Sequence, residues 1–131
     1  MLLTKEQLLA KRERTYKNVP IPELGGEVRI RSLKSSEITG WQASLLDPKT
    51  GEPCIKRQKQ ARERMVALSL VDEHGNMLCN SDDLATLNGL ENSIIARIAI
   101  AAGELNGIDN EDFEELVGNS AGTPADTQSS E

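Results

Sequence analysis

Apolar residues recur along this 131-residue chain at two different spacings. Between Lys17 and Leu33 they alternate with polar ones, as Val19 and Ile21 and then as Val28 and Ile30. That is the period of a half-buried strand, whose successive side chains point to opposite faces. Gly25-Gly26 lies between the two runs and supplies the positive φ angles of a tight two-residue turn, so residues 17–33 predict a β-hairpin. Pro20 and Pro22 have no amide hydrogen to offer a neighbour, which makes the first strand an edge. Arg29 and Arg31 fall on the face opposite Val28 and Ile30.

Elsewhere the spacing is helical. Thr4-Lys5-Glu6-Gln7 is a capping box for a short helix to about Arg14, with Leu8 and Leu9 as a narrow packing stripe. Ser35 or Ser36 caps a second helix, Glu37 to Leu46, bearing Ile38, Trp41, Leu45 and Leu46. Residues 47–53, DPKTGEP, are turn chemistry. A third, basic helix is expected from Ile55 to about Leu70, with Ala61, Met65 and Leu68 on one face and Lys56, Arg57, Lys59, Arg62 and Arg64 around much of the rest. Val66 to Val71 suits a helix end or a strand equally. A small extended pair is expected around Val71 and Met77-Leu78, either side of the Asp72-Glu73-His74-Gly75-Asn76 turn.

Ser81 reads as the N-cap of a short helix carrying Leu84 and Leu87 that stops before Gly89. Asn92 or Ser93 caps a nearly all-apolar helix that ends at Gly107, with Ile94, Ile98, Ala101 and Leu105 on one face, widened by Ile95, Ala99 and Ala102. A helix this apolar is central to a core or is completed by another subunit. Asp109 caps a last acidic helix, Glu111 to Val117, ended by Gly118. The reading is an α+β fold, mostly α-helical: four to six short helices, one N-terminal β-hairpin and a small second extended pair. Residues 1–118 form one domain, and 119–131, NSAGTPADTQSSE, form a disordered polar tail.

Composition narrows the function classes. Trp41, Tyr16 and Phe113 are the only aromatic residues, so the core is aliphatic and a deep aromatic ligand pocket is not expected. The net charge of −6 divides unevenly. Residues 1–71 carry 14 Lys/Arg against 8 Asp/Glu, a net +6, whereas residues 72–131 carry one against 13, a net −12. The two halves can fold together, or stack head to tail with a second copy. An acidic chain without aromatics among its basic residues is not built like a nucleic-acid binder. The longest apolar run, Ile94 to Gly103, is broken by Arg97 and too short to span a bilayer. The N-terminus lacks the apolar stretch of a signal peptide.

Candidate chemistry is sparse. His74, the one histidine, stands near Asp72, Glu73 and Cys79 without a zinc or calcium ligand pattern, and reads as an exposed turn residue. Cys54 and Cys79 read as free thiols of a reducing cytosol. Cys54 has Lys56 and Arg57 nearby but no histidine to complete a dyad. Gly25-Gly26 lacks the rest of a phosphate loop. No catalytic, cofactor or metal residue is therefore assigned.

Four segments, GGEVRIRSLKSSEITGW, RERMVALSLVDEHGNML, SDDLATLNGLENSIIARIAIAAGELNG and EDFEELVGN, span about Glu23 to Asn119. In order and length they resemble the tail assembly chaperones of long-tailed, siphovirus-like bacteriophages. In that family a hairpin and helix precede a basic helix, a D-x-x-G turn, a short helix and a helix with a Leu-Asn-Gly-like stop. The resemblance implies a non-enzymatic protein of the infected bacterial cytoplasm, absent from the finished virion. It would bind the tape-measure protein, keep it soluble and bring tail-tube subunits to it. It also implies a longer form made by ribosomal frameshifting. It gives no role to Cys54 or His74.

Apolar faces at Met65 and Leu68 and at Ile94, Ile95, Ile98 and Leu105 are the expected partner contacts. Self-association is expected head to tail, with Arg57, Arg62 and Arg64 of one copy against Glu111, Asp112 and Glu115 of the next. The alternatives are a head–tail connector or tail-completion protein that stays in the virion, and a small DNA-binding regulator using the Lys56–Arg64 helix.

Overall fold

The computed structural model describes residues 1–120. The alternating runs form strands β1 (Tyr16–Ile21) and β2 (Gly26–Arg31), paired antiparallel with Val19 opposite Val28. Val19, Ile21 and Ile30 are buried on one face, as their period requires. The sheet order is β1-β2-β3, so β1 is the edge that its prolines demand. The connection differs from the expected two-residue turn. Pro22–Leu24 form a 3-10 turn, and Gly25 alone takes a positive φ, 70°. Proline starts such a turn readily because its φ is already fixed, so Gly26 is left free to begin β2.

Helix α1 spans Lys5–Leu9 and does not reach Arg14. The capping box is as expected: Gln7 N–H donates to Thr4 Oγ1 (3.1 Å) and Thr4 N–H to Gln7 Oε1 (2.9 Å). The expected packing stripe meets nothing, since every residue from Met1 to Glu13 is exposed. Helix α2 (Ser35–Ala43) is capped from Lys34 rather than from a serine. Glu37 accepts the Lys34 amide at 2.8 Å, and the helix stops three residues before Leu46 in a series of turn bonds.

The expected long basic helix is two helices, α3 (Ile55–Gln58) and α4 (Ala61–Ser69), which brings the total to seven among the described residues. The break has a packing reason. Ile55 is the one large apolar residue of the first segment and it is exposed, so nothing holds that turn in line with α4. α4 is fixed instead by buried Ala61, Met65 and Val66 and by the Trp41 indole, which donates to the Ala61 carbonyl at 2.9 Å. After Ser69 the chain extends into β3 (Leu70–Val71), which pairs with β2 through Ile30 and Arg29. Val71 also bridges Met77, so the extended pair is present and is joined to the hairpin sheet.

A 3-10 turn, Ser81–Asp83, leads into α5 (Leu84–Asn88). Its cap is Asn80 rather than Ser81: the Asn80 side chain accepts the Asp82 amide, and Asp83 accepts the Asn80 amide. α6 (Asn92–Leu105) follows from Glu91 as N-cap, one residue earlier than expected. It ends as its sequence dictates. Gly107 takes φ 72°, Gly107 N–H donates to the Glu104 carbonyl and Ile108 N–H to that of Gly103, a Schellman stop. Asp109 Oδ1 then accepts the Asp112 amide, and α7 (Asn110–Ser120) runs on through Gly118. The polar tail expected over 119–131 lies, from residue 121 onward, outside the described residues.

α6 is the centre of the molecule. Ile94, Ile95, Ile98, Ala99, Ala101 and Ala102 are buried where it meets α4 and the inner face of the sheet. α7 closes one end: Phe113 stacks against Trp41 with ring centroids 5.2 Å apart, and Gln42 donates to the Leu116 carbonyl at 2.9 Å.

Candidate functional site

α2 and α4 lie side by side, and the segment from Met77 to Leu84 passes over their outer edge. The three enclose a groove of about 390 Å³. Its lining is mostly apolar, with Trp41, Leu68, Met77 and Leu84, and includes the small residues Gly40, Ser44 and Ala67. Glu37 and Arg64 stand among them as the charged groups. Such a surface has few converging donors and acceptors and a broad opening, so its chemistry is that of packing against an apolar ridge.

A charge network frames one end. Arg14 forks onto both oxygens of Glu37, at 2.7 and 2.9 Å, and donates to the Ser32 carbonyl. Arg31 reaches the same carboxylate at 3.6 Å and donates to the Leu68 carbonyl at 3.0 Å. The Arg14 hydrogen bond, aided by the Lys34 amide and the Arg31 charge, holds the Glu37 carboxyl down at about 2. Burial and the neighbouring Arg14 pull the Arg31 guanidinium below its ordinary value. The alternation of β2 predicts the face of Arg31 but not its burial, which comes with Glu37 of α2 and the Leu68 carbonyl of α4 meeting its guanidinium.

The residues expected to meet partners divide into three groups. Met65, Ile94, Ile95 and Ile98 are core, while Leu68 and Leu105 are half-buried. The three arginines do not form one free face. Arg57 donates to the Ser44 carbonyl (3.0 Å), Arg62 to Asn92 Oδ1 (2.6 Å) and Arg64 to Gln60 Oε1 (2.9 Å). Burial, and then the Arg57 charge, lowers the Arg64 pKa. Glu111, Asp112 and Glu115 are exposed on α7. Ion pairs join the two halves within the chain: Lys17 approaches Glu104 at 3.8 Å, in the sense of the charge asymmetry, and Arg97 pairs with Glu23 in the opposite sense.

Two further clefts flank α6. One lies against β1, beside Pro20 and half-exposed Ile100, and the other against α7, between Arg62 and Phe113. His74 is exposed beside Glu73, in a turn that Asp72 organises by accepting the His74 and Asn76 amides. Both cysteines are free, and among the described residues no helix is long and apolar enough to cross a membrane. The groove is the feature that sequence reasoning missed. Trp41, Leu68 and Leu84 come from three separate elements, and no local pattern joins them.

The sequence matches no known protein-family description and none of the curated proteins. Among solved structures the chain is similar to the tail assembly chaperone of bacteriophage HK97, with a TM-score of 0.55 and 19% sequence identity. The match covers 77% of this chain and 90% of that one. At this identity the likeness is one of fold: the chain has a tail-assembly-chaperone-like fold, α+β and mostly helical.

Proposed function

We propose that the protein is a phage tail assembly chaperone without enzymatic activity, acting in the cytoplasm of the infected bacterium and absent from the finished virion. The observation that carries this reading is the fold shared with the HK97 tail assembly chaperone over most of both chains. The order of hairpin, basic helix, turn and apolar helix in the sequence supports it. Its client is the tape-measure protein, a long helical chain whose apolar stripes aggregate when exposed. The groove between α2 and α4 offers such a stripe an apolar lining that includes small residues. Many copies along one client keep it soluble while tail-tube subunits gather around it. The DNA-binding alternative is weakened because Arg57, Arg62 and Arg64 are engaged within the chain.

The test is co-expression with the long open reading frame expected downstream in the source DNA. The client is expected to be soluble only in the presence of this protein and to co-purify with it. An insoluble client and no complex would sink the reading. Mass spectrometry of purified particles then separates chaperone from component: finding this chain in the virion would favour a connector or tail-completion protein.

A further inference from the structure

The two charged residues lining the groove between α2 and α4 are in unequal states. Glu37 is answered within the chain: Arg14 grips both of its oxygens and Arg31 stands 3.6 Å away. Arg64 is not answered. Its Nη2 donates to Gln60 Oε1, a neutral amide oxygen, its Nε is buried without a hydrogen-bond partner, and it forms no ion pair among the described residues. The charge that acts on it most strongly is a second cation, Arg57, which caps the Ser44 carbonyl. A guanidinium half withdrawn from water without an anion is a cost to the free chain that a carboxylate in the groove would offset.

These groups also give the groove a length and a direction. Glu37 marks one end, where Arg31 holds the Leu68 carbonyl. Arg64 lies one turn of α4 before Leu68, toward Ser44 at the other end. From Glu37 to Ser44 is about 10 Å along α2, at a rise of 1.5 Å per residue. That length matches two turns of a docked helix, with apolar contacts at i, i+3 or i+4, and i+7. Across the groove the charge is of the other sign. Asp83, just outside the lining, helps to raise the Cys79 thiol pKa and accepts the Asn80 amide.

We propose, resting on the reading of this groove as the client's seat, that it selects helical segments whose two-turn apolar stripe is flanked on one side by an Asp or Glu, with Arg64 as the counter-ion of that carboxylate. A free anion would answer Arg64 but leave Trp41, Leu68, Met77 and Leu84 without an apolar cover. A stripe flanked by Lys or Arg on that side would bring a third cation beside Arg57 and Arg64 and is rejected. A carboxylate on the opposite flank would meet Asp83, so the pattern also sets the direction in which the client lies.

The test uses labelled, overlapping peptides of about 20 residues, long enough for two helical turns and their flanks, covering the product of the long downstream reading frame. Each is titrated with full-length protein. The peptides that bind are expected to share the stripe and the flanking acid. Replacing that acid by Gln, or Arg64→Met in the protein, should each weaken binding by about tenfold or more, and the two together should cost little beyond either alone. Arg64→Met should melt no lower than wild type, because it removes a half-buried charge that lacks a counter-ion; a much lower melting temperature would make Arg64 a residue of the fold and overturn the proposal. Arg64→Glu should reverse the preference, toward peptides carrying Lys in place of the acid. Peptides that bind Arg64→Met as tightly as wild type overturn the proposal and leave the chaperone reading standing, as does a client that co-purifies although none of its peptides binds. Loss of both co-purification and peptide binding removes the chaperone reading itself.

Discussion

Gly103 sits in the last turn of α6, where the Schellman stop folds the chain back over its own helix. A Cβ at this position would lie 2.5 Å from the Ile108 carbonyl oxygen, a backbone atom held by the turn. Gly103→Ala must push that turn away, and the expected loss is about 1–3 kcal/mol of folding stability, read from urea denaturation. Glu37 makes a prediction in pH. Its carboxyl titrates at about 2 in the folded chain against an ordinary 4.5. A lowered folded value means that its stabilisation is fully present above the ordinary value and is lost as pH falls through the folded one. Glu37→Gln leaves Arg14 and Arg31 without their shared anion. The stability gap between wild type and this variant should be widest near neutrality and shrink between about pH 4.5 and 2, as urea midpoints at several pH values would show. A gap that does not change with pH would mean that the carboxylate's charge contributes nothing to the network.

The helices differ in what they contribute, and burial decides the difference. Ile98 lies at the centre of α6 and is 3% exposed. Ile98→Ala removes its methyl and methylene groups and leaves a cavity, so a loss of about 2–5 kcal/mol is expected by thermal or urea unfolding. α1 buries nothing. Removal of residues 1–13 should change the stability of the remaining chain by less than about 0.5 kcal/mol, measured at a concentration where it is monomeric. The same contrast shows why α6 and α7 were the most readable elements. The stop of α6 and the start of α7 are written in consecutive residues, at Gly107 and Asp109, although the cap of α6 is Glu91 and α7 runs past Gly118. The basic helix was not, because a split at Lys59-Gln60 depends on Trp41 finding the Ala61 carbonyl across the fold. The hairpin was readable in alternation and edge, but its register and turn type were set by how Pro22 and Gly25 shared the reversal.

At the scale of the whole molecule the question is which forces join copies. The sequence offers a head-to-tail match of basic and acidic faces. The fold engages Arg57, Arg62 and Arg64 internally and leaves Leu8 and Leu9 of α1 exposed. Charge contacts at a surface are screened at about 1 M salt, where the Debye length is about 3 Å, whereas apolar contacts are not. Assemblies of this chain are therefore expected to persist at high salt in light scattering or sedimentation and to vanish when Leu8 and Leu9 are both changed to Glu. Dissolution by salt alone would restore the charged faces, with Glu111, Asp112 and Glu115 of α7 as the acidic partner.

The sequence by itself determined the fold class, the apolar faces of β1, β2 and α6, and the stop of α6, because periodicity and glycine stops act over a few neighbouring residues. It also pointed to a chaperone-like order of elements, which the fold shared with the HK97 protein then supported. Only the tertiary structure decided that Arg31 is buried, that Ile94, Ile95 and Ile98 are core rather than contact surface, and that Trp41, Leu68 and Leu84 line one groove. Those outcomes depend on which element covers which face. That choice is made by packing between segments tens of residues apart, where local pattern carries no information.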